Sequence, residues 1–249
     1  MSFQVPKQFN ILLIGDSCQD VYQYGHVDRM SPEAPVPVFV PTHEERRPGM
    51  AANVKRNLEA RNRKCQIITN LNWVDYKKTR YVHNESNHHF FRVDTPQTID
   101  LLKLDSMKFD HDVVIISDYD KGLLSKAMIS SICENNDLVF LDSKKILGEW
   151  ASAATFIKIN DFEYRRSEPF LSEKLKKKII RTRGELGCDY NGVNYPVNKS
   201  QVRDTSGAGD SFLAALVDCF WTTEDIVASI IAANSAASRI VTTRGVGVI

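Results

Sequence analysis

Six short apolar runs separated by segments of helical spacing constrain this chain more than any other feature. They are residues 10–15 (NILLIG), 65–69 (CQIIT), 112–117 (DVVIIS), 138–141 (LVFL), 155–159 (TFIKI) and 178–181 (KIIR). Runs of this length without polar alternation suit strands buried on both faces. Residues 50–64 and 121–135 carry helical spacing between them, so parallel strands with helical crossovers are expected, in an α/β sandwich. After Arg203 the pattern turns helical, with 208–221 and 224–241 predicted as two closing helices. Two stretches break the alternation. Residues 21–40 and 79–94 are rich in Tyr, Phe, Val and Pro and read as exposed or edge strands, hence a small β-lid that covers a site or pairs with a second subunit. The 249 residues are otherwise expected to form one domain.

Composition narrows the function classes. With 32 Lys+Arg against 31 Asp+Glu the charge is too balanced for a nucleic-acid surface. No run approaches the roughly 18 apolar residues of a membrane span, and the N-terminal residues lack a secretory pattern, so a cytoplasmic location is expected. Five cysteines, odd in number and never spaced C-x-x-C, argue for packed thiols over disulfides or zinc. His88 and His89 are neighbours on a strand, point to opposite faces and are assigned to the surface. The charge run 173–178 (EKLKKK) reads as the solvated face of a helix.

The most informative segment is 204–212 (DTSGAGDSF). Gly207, Ala208 and Gly209 can turn and aim backbone N–H groups at an anion, where the N-terminus of the following helix adds roughly half a positive charge. Asp210 then falls in the first helical turn, placed to accept a proton from an attacking hydroxyl. The same residues also fit a plain helix start, with Asp204 or Ser206 as N-cap and Asp210 favourable toward the dipole. The turn is neither GxxxxGK[ST] nor GxGxxG.

DTSGAGDSF resembles the C-terminal signature of the ribokinase-like (PfkB) sugar kinases, usually DTxGAGD. Residues 15–25 (GDSCQDVYQYG), 30–38 (MSPEAPVPV), 47–54 (RPGMAANV), 117–122 (SDYDKG) and 232–237 (AANSAA) are similar to the heptose-7-phosphate kinase branch. The resemblance implies a three-layer α/β/α sandwich with a mostly parallel central sheet and a β-strand lid. It also implies ATP-dependent phosphorylation of the anomeric hydroxyl of D-glycero-D-manno-heptose 7-phosphate, in lipopolysaccharide core synthesis. Asp210 takes the family's general-base position, and Gly207, Ala208 and Gly209 its anion hole. Asn160 and Glu163 match the NxxE element tied to magnesium through water, although Asn-x-x-Glu by itself is a helix-start device. Asp20, Asn53 and the glycine-rich element containing Gly49 match sugar-binding positions, where caps for a turn and a helix are the plainer reading of Asp20 and Asn53. Met50 stands where these kinases usually have a second glycine.

A phosphorylated acceptor needs positive charge away from the reacting hydroxyl, for which Arg80, Arg92 and Lys121 are the candidates, each also able to serve as a solvated or salt-bridged residue. Thr182, Arg183 and Gly184 match the strand-end turn beneath the nucleotide phosphates, and Asn234 a late-helix position near adenine. The tail 243–249 (TRGVGVI) resembles part of a monovalent-cation site, which leaves potassium open beside ATP and magnesium. The chain is shorter than the family pattern between Leu71 and Lys78 and between Tyr164 and Lys178. Two hypotheses follow: a sugar-phosphate kinase that dimerises through its lid, or a catalytically silent nucleotide- or sugar-binding module of the same fold.

Overall fold

The computed structural model describes residues 10–96, 98–197 and 205–242. All six apolar runs are strands: β1 (Ile11–Gly15), β4 (Cys65–Ile68), β7 (Val113–Asp118), β8 (Val139–Ser143), β9 (Phe156–Asn160) and β10 (Ile179–Thr182). With β11 (Cys188–Tyr190) and β12 (Val193–Tyr195) they form a sheet in the order β12-β11-β10-β9-β8-β7-β1-β4. The first six are parallel, and β11 and β12 finish the edge antiparallel.

Alternate residues of these strands feed two cores. Ile11, Leu13, Val113, Ile115, Phe140 and Ile180 pack on one face with α1 (Ala51–Ala60), α5 (Ala208–Thr223) and α6 (Ile226–Val241). Leu12, Ile14, Val114, Ile116, Val139 and Leu141 pack on the other with α2 (Lys126–Asn135). This is why the runs showed no polar alternation: both faces are covered. Leu213 and Leu216 of α5 are fully buried, each contributing about 1.5–3 kcal/mol by leaving water. Ser125 caps α2 and Asp225 caps α6.

The two stretches that broke the alternation form a separate sheet, β3-β2-β5-β6, of β2 (Ser17–Met30), β3 (Pro37–Met50), β5 (Lys77–His83) and β6 (His89–Asp94). Its central strand begins two residues after β1 ends, and β3 runs directly into α1. The lid is therefore larger than the sequence suggested, and Asp20, Gly49 and Met50 are strand residues. Only a short 3-10 turn at Trp73–Asp75 joins β4 to β5. Between β9 and β10 lie α3 (Asp161–Ser167) and the four-residue α4 (Glu173–Lys176), so the charge run is a short solvated helix held by buried Leu175. No helix among the described residues is long and apolar enough to cross a membrane.

Candidate active site

The carboxyl ends of β1, β7, β8 and β9 converge beneath the lid and opposite the start of α5, where parallel α/β sheets bind ligands. Gly207 is the N-cap of α5, with φ of 77°, in the left-handed region that favours glycine. Among the described residues no side-chain hydrogen bond caps this helix, and Ala208 N–H donates to Thr205 O at 3.3 Å. Ala208 and Gly209 already belong to the first turn, so one glycine makes the bend that three residues were expected to share. Asp204 lies outside the described residues.

Asp210 is buried at the head of this helix. Asn53 Nδ2 donates to its Oδ2 at 2.8 Å and Tyr119 Oη to its Oδ1 at 2.6 Å. Burial raises the Asp210 pKa above the ordinary carboxylate value, against the pull of these two hydrogen bonds and of Lys158. That direction suits a proton acceptor. Tyr119 is fixed from behind, because its backbone N–H donates to buried Asp16 Oδ2 at 2.7 Å. Burial, and then Asp210, push the Tyr119 phenol well above its usual value, so it remains a donor.

A second network flanks the first. A Cβ placed on Gly209 would stand 3.0 Å from Lys158 Nζ, so this ammonium lies against the first turn of α5. Lys158 Nζ pairs with buried Asp142 Oδ2 at 2.7 Å, and Lys144 Nζ with Glu163 Oε1 at 2.6 Å. Burial would raise Asp142, but Lys158 and Lys144 hold it below the ordinary value. Burial works against the Lys144 charge, but Asp142 and Glu163 hold its pKa above the ordinary lysine value. Lys158, Lys144, Asp142 and Tyr119 are the site residues that sequence reasoning missed. The signal for Lys158 was a lone lysine inside an apolar strand, and Tyr119 lay inside the quoted SDYDKG.

Asn160 and Glu163 form a full reciprocal cap of α3: Glu163 N–H donates to Asn160 Oδ1 at 2.9 Å, and Glu163 Oε2 accepts from Asn160 N–H at 2.8 Å. Glu163 Oε1 is taken by Lys144 and by Asn160 Nδ2. This is the helix-start device that Asn-x-x-Glu allows by itself, and the hold on magnesium through water that the resemblance implies stays a proposal. No three His, Cys, Asp or Glu side chains converge as a metal cage among the described residues. A magnesium ion here would be held chiefly by nucleotide phosphates and water.

A cavity of about 340 Å³ opens beside the start of α5, lined by Thr182, Gly184, Gly187, Ala208, Gly209, Phe212, Asn234 and Ala237 among others. Its mostly small and apolar walls lead from α6 to the α5 amides and suit a purine nucleotide whose phosphates end at the helix. Asn234 Nδ2 donates to Tyr195 O at 2.9 Å, bracing the edge of this cavity. Arg183 instead pairs with Asp189 at 2.9 Å.

On the acceptor side, Asp20 Oδ1 is bound by Arg80 at 2.5 Å, both side chains being about nine-tenths buried. The sequence had given these residues separate tasks, and the fold pairs them. Gly49 makes room for Asp20, since a Cβ there would come within 2.3 Å of Asp20 Oδ2. Arg92 is exposed and engaged by Asp94 at 2.7 Å, and Lys121 is exposed on the turn after β7. The structure brings neither to Asp210. His88 and His89 are exposed, as expected. The 243–249 tail, with its potassium question, lies outside the described residues.

The mostly parallel sheet with its separate lid sheet is a ribokinase-like fold. Solved structures share the fold: an Arabidopsis thaliana ribokinase complexed with ribose and ATP has a TM-score of 0.68 at 13% identity, covering 95% of this chain and 94% of that one. Phosphofructokinase-2 from Escherichia coli in complex with potassium has 0.70 at 13%, covering 96% and 94%. The pfkB family carbohydrate kinase profile matches residues 50–248, and the chain belongs to that family. It is 30% identical to a Nitratiruptor protein named bifunctional protein HldE, over 93% of this chain and 61% of that protein. It is 29% identical to a D-beta-D-heptose 7-phosphate kinase of Bordetella bronchiseptica, over 83% of this chain and 82% of that one. The chain thus spans about three-fifths of the length of its HldE relative.

Proposed function

We propose that this carbohydrate kinase transfers the γ-phosphoryl group of ATP to the anomeric hydroxyl of a sugar phosphate, D-glycero-D-manno-heptose 7-phosphate being the leading acceptor. The observation that carries the reading is buried Asp210, held by Asn53 and Tyr119, raised in pKa and set beside the Gly207 turn of α5 and the Lys158 ammonium. The heptose assignment is supported by the relative named D-beta-D-heptose 7-phosphate kinase.

In this reading Asp210 takes the proton as the acceptor oxygen attacks phosphorus and the bond to the ADP oxygen breaks. Lys158 and the amides at the start of α5 balance the charge on the transferring group. Asn53 and Tyr119 keep the Asp210 carboxylate aimed. Asp20 and the Gly49 strand end orient the sugar. Thr182, Gly184 and Asn234 frame the nucleotide. Magnesium, arriving with ATP, supplies further charge neutralisation on the phosphates. The lid sheet is also proposed to pair two copies into a homodimer.

The test is ADP formation with magnesium-ATP and a panel of sugars and sugar phosphates. Asp210→Asn is expected to lower turnover at least about 10²-fold while leaving ATP binding nearly intact. Near-normal turnover in that variant would remove Asp210 from the mechanism. Stabilisation by ATP with no ADP released across the panel would favour a silent binding module.

A further inference from the structure

Two donors from different elements grip Asp210, and one dipeptide holds both. Asp16 is the single residue between β1 and the lid strand β2, and Ser17 opens β2. Both are fully buried. Three elements meet there, since a Cβ on Gly15 would stand 2.0 Å from Ser117 O of β7 and 3.2 Å from Ala51 Cβ of α1. The first arm runs through the Asp16 side chain. Its Oδ2 accepts from Tyr119 N–H at 2.7 Å and from Lys121 N–H at 3.4 Å, and Tyr119 Oη donates to Asp210 Oδ1. Between these two amides Asp120 has φ of 56°, a left-handed backbone that a non-glycine residue keeps only where its surroundings hold it.

The second arm runs through the start of α1. Ala51 N–H donates to Asp16 O at 2.9 Å and Ala52 N–H to Ser17 Oγ at 3.1 Å, and Asn53, the next residue, gives its Nδ2 to Asp210 Oδ2. Ser17 thereby supplies the acceptor that the N-cap residue Met50 lacks. Ser17 is itself fixed by Asn70, whose Oδ1 accepts from Ser17 N–H at 2.8 Å. For packing alone an Asp at position 16 is costly. Burial, and then Asp118, raise its pKa, and its Oδ1 has no hydrogen-bond partner among the described residues. What the carboxylate supplies is a stronger acceptor for the amides of the Tyr119 turn than a neutral group would be.

We propose that Asp16 and Ser17 are positioning residues for phosphoryl transfer, the Asp16 carboxylate acting through Tyr119 and the Ser17 hydroxyl through Asn53, so that the end of β1 fixes both hydrogen bonds on Asp210. The proposal rests on the kinase reading above and adds the residues that hold its base in place. Weakening either arm takes a donor from the charged form of Asp210, which then gives up its proton at higher pH. The charged groups that act on Asp210 and Tyr119 include Lys158, Asp142 and Lys144 at the sheet ends and Lys78 and Asp20 of the lid. The nearby Cys18 thiol, pushed up to about 12, stays neutral. Substitutions at Asp16 and Ser17 leave all of these in place. Asp16→Asn removes the same charge as Asp16→Ala but keeps an acceptor, which separates charge from hydrogen bonding.

The experiment titrates Asp210 without turnover. With tyrosine isotope-labelled at Cζ, the Tyr119 magnetic resonance signal is the one lost in Tyr119→Phe, and the step in its pH titration that Asp210→Asn abolishes reports Asp210. Asp16→Ala and Ser17→Ala are each expected to raise the midpoint by at least about half a pH unit, the scale of a weakened hydrogen bond to a charged group. Asp16→Asn should recover part of the shift. Ile129→Ala, a cut in the buried face of α2, should lower the melting temperature and leave the midpoint alone. The acid limb of kcat/KM for the sugar phosphate should move with the midpoint. In a Tyr119→Phe background Asp16→Ala should move that limb no further, whereas Ser17→Ala still should. An unmoved midpoint in Asp16→Ala or Ser17→Ala, or an Asp16→Ala shift of equal size with and without the Tyr119 hydroxyl, would overturn the proposal. If Asp16→Ala does not fold, Asp16→Asn takes its place: a raised midpoint there and in Ser17→Ala supports the proposal, and an unmoved one in either overturns it. If the wild type phosphorylates no sugar, the kinase reading fails, and the titration, which needs no substrate, still decides whether the two arms hold Asp210.

Discussion

Both oxygens of Asp210 are engaged before any substrate arrives, by Asn53 Nδ2 and Tyr119 Oη. Each bond favours the charged carboxylate, while burial opposes it and prevails, leaving the pKa raised. In the proposed reaction transfer needs the carboxylate, so the rate should fall as pH drops through this raised value. Tyr119→Phe removes one stabilising donor, so the Asp210 pKa should rise further and the acid limb of the kcat/KM profile should move toward neutral pH. A purely structural role would lower the plateau without moving that limb. Met50 offers a second test at this scale. It is a non-glycine residue at φ 59°, ψ −133°, buried at the β3–α1 junction, where the cost of such a backbone is on the order of 1–3 kcal/mol. Met50→Ala keeps the strain and loses the buried side chain, whereas Met50→Gly loses the side chain but relieves the strain. Thermal melts should therefore rank Met50→Gly above Met50→Ala, and the reverse order would show that the strain is absent.

Among the elements, α5 and the lid carry the proposed function. Gly207 bends the chain into α5, while the same helix buries Leu213 and Leu216, so the proposed anion site is anchored in the core. The lid face away from the site carries an aromatic patch beside the Arg46–Glu44 pair: Tyr81 stacks on Phe91 with centroids 4.4 Å apart, Phe39 meets Tyr81 edge-on at 5.3 Å, and Phe91 and Val93 remain half exposed. Such a surface on a four-stranded sheet suits a second copy. Mass measurement at micromolar concentration should give twice the chain mass, and Phe91→Glu should give a monomer. A monomeric wild type would refute the pairing. At this scale the sequence was legible: six strands lie within a residue or two of their apolar runs, because burial on both faces leaves an unbroken hydrophobic signature. The lid was less so. Its strands reach Ser17 and Met50 through mixed polar residues such as Gln19, Glu44 and Arg46, whose strand state comes from pairing across the sheet and not from their own pattern.

For the molecule as a whole, the sequence by itself determined the layered α/β architecture and the segment that turns into α5 at Asp210, since both are local. Strand burial is written in apolar runs, and the glycine turn with Asp210 is one continuous segment. Only the tertiary structure decided which charges meet. Asn53 and Tyr119 reach Asp210 across 157 and 91 residues of chain, Arg80 reaches Asp20 across 60, and Lys158 comes to rest against Gly209. No spacing rule encodes such pairs. A charged side chain finds its partner when packing brings two strand ends or a strand and a helix together. A buried charge in that corner is tolerated only with a counter-charge beside it, which is why Glu163 became the partner of Lys144 and Arg80 that of Asp20.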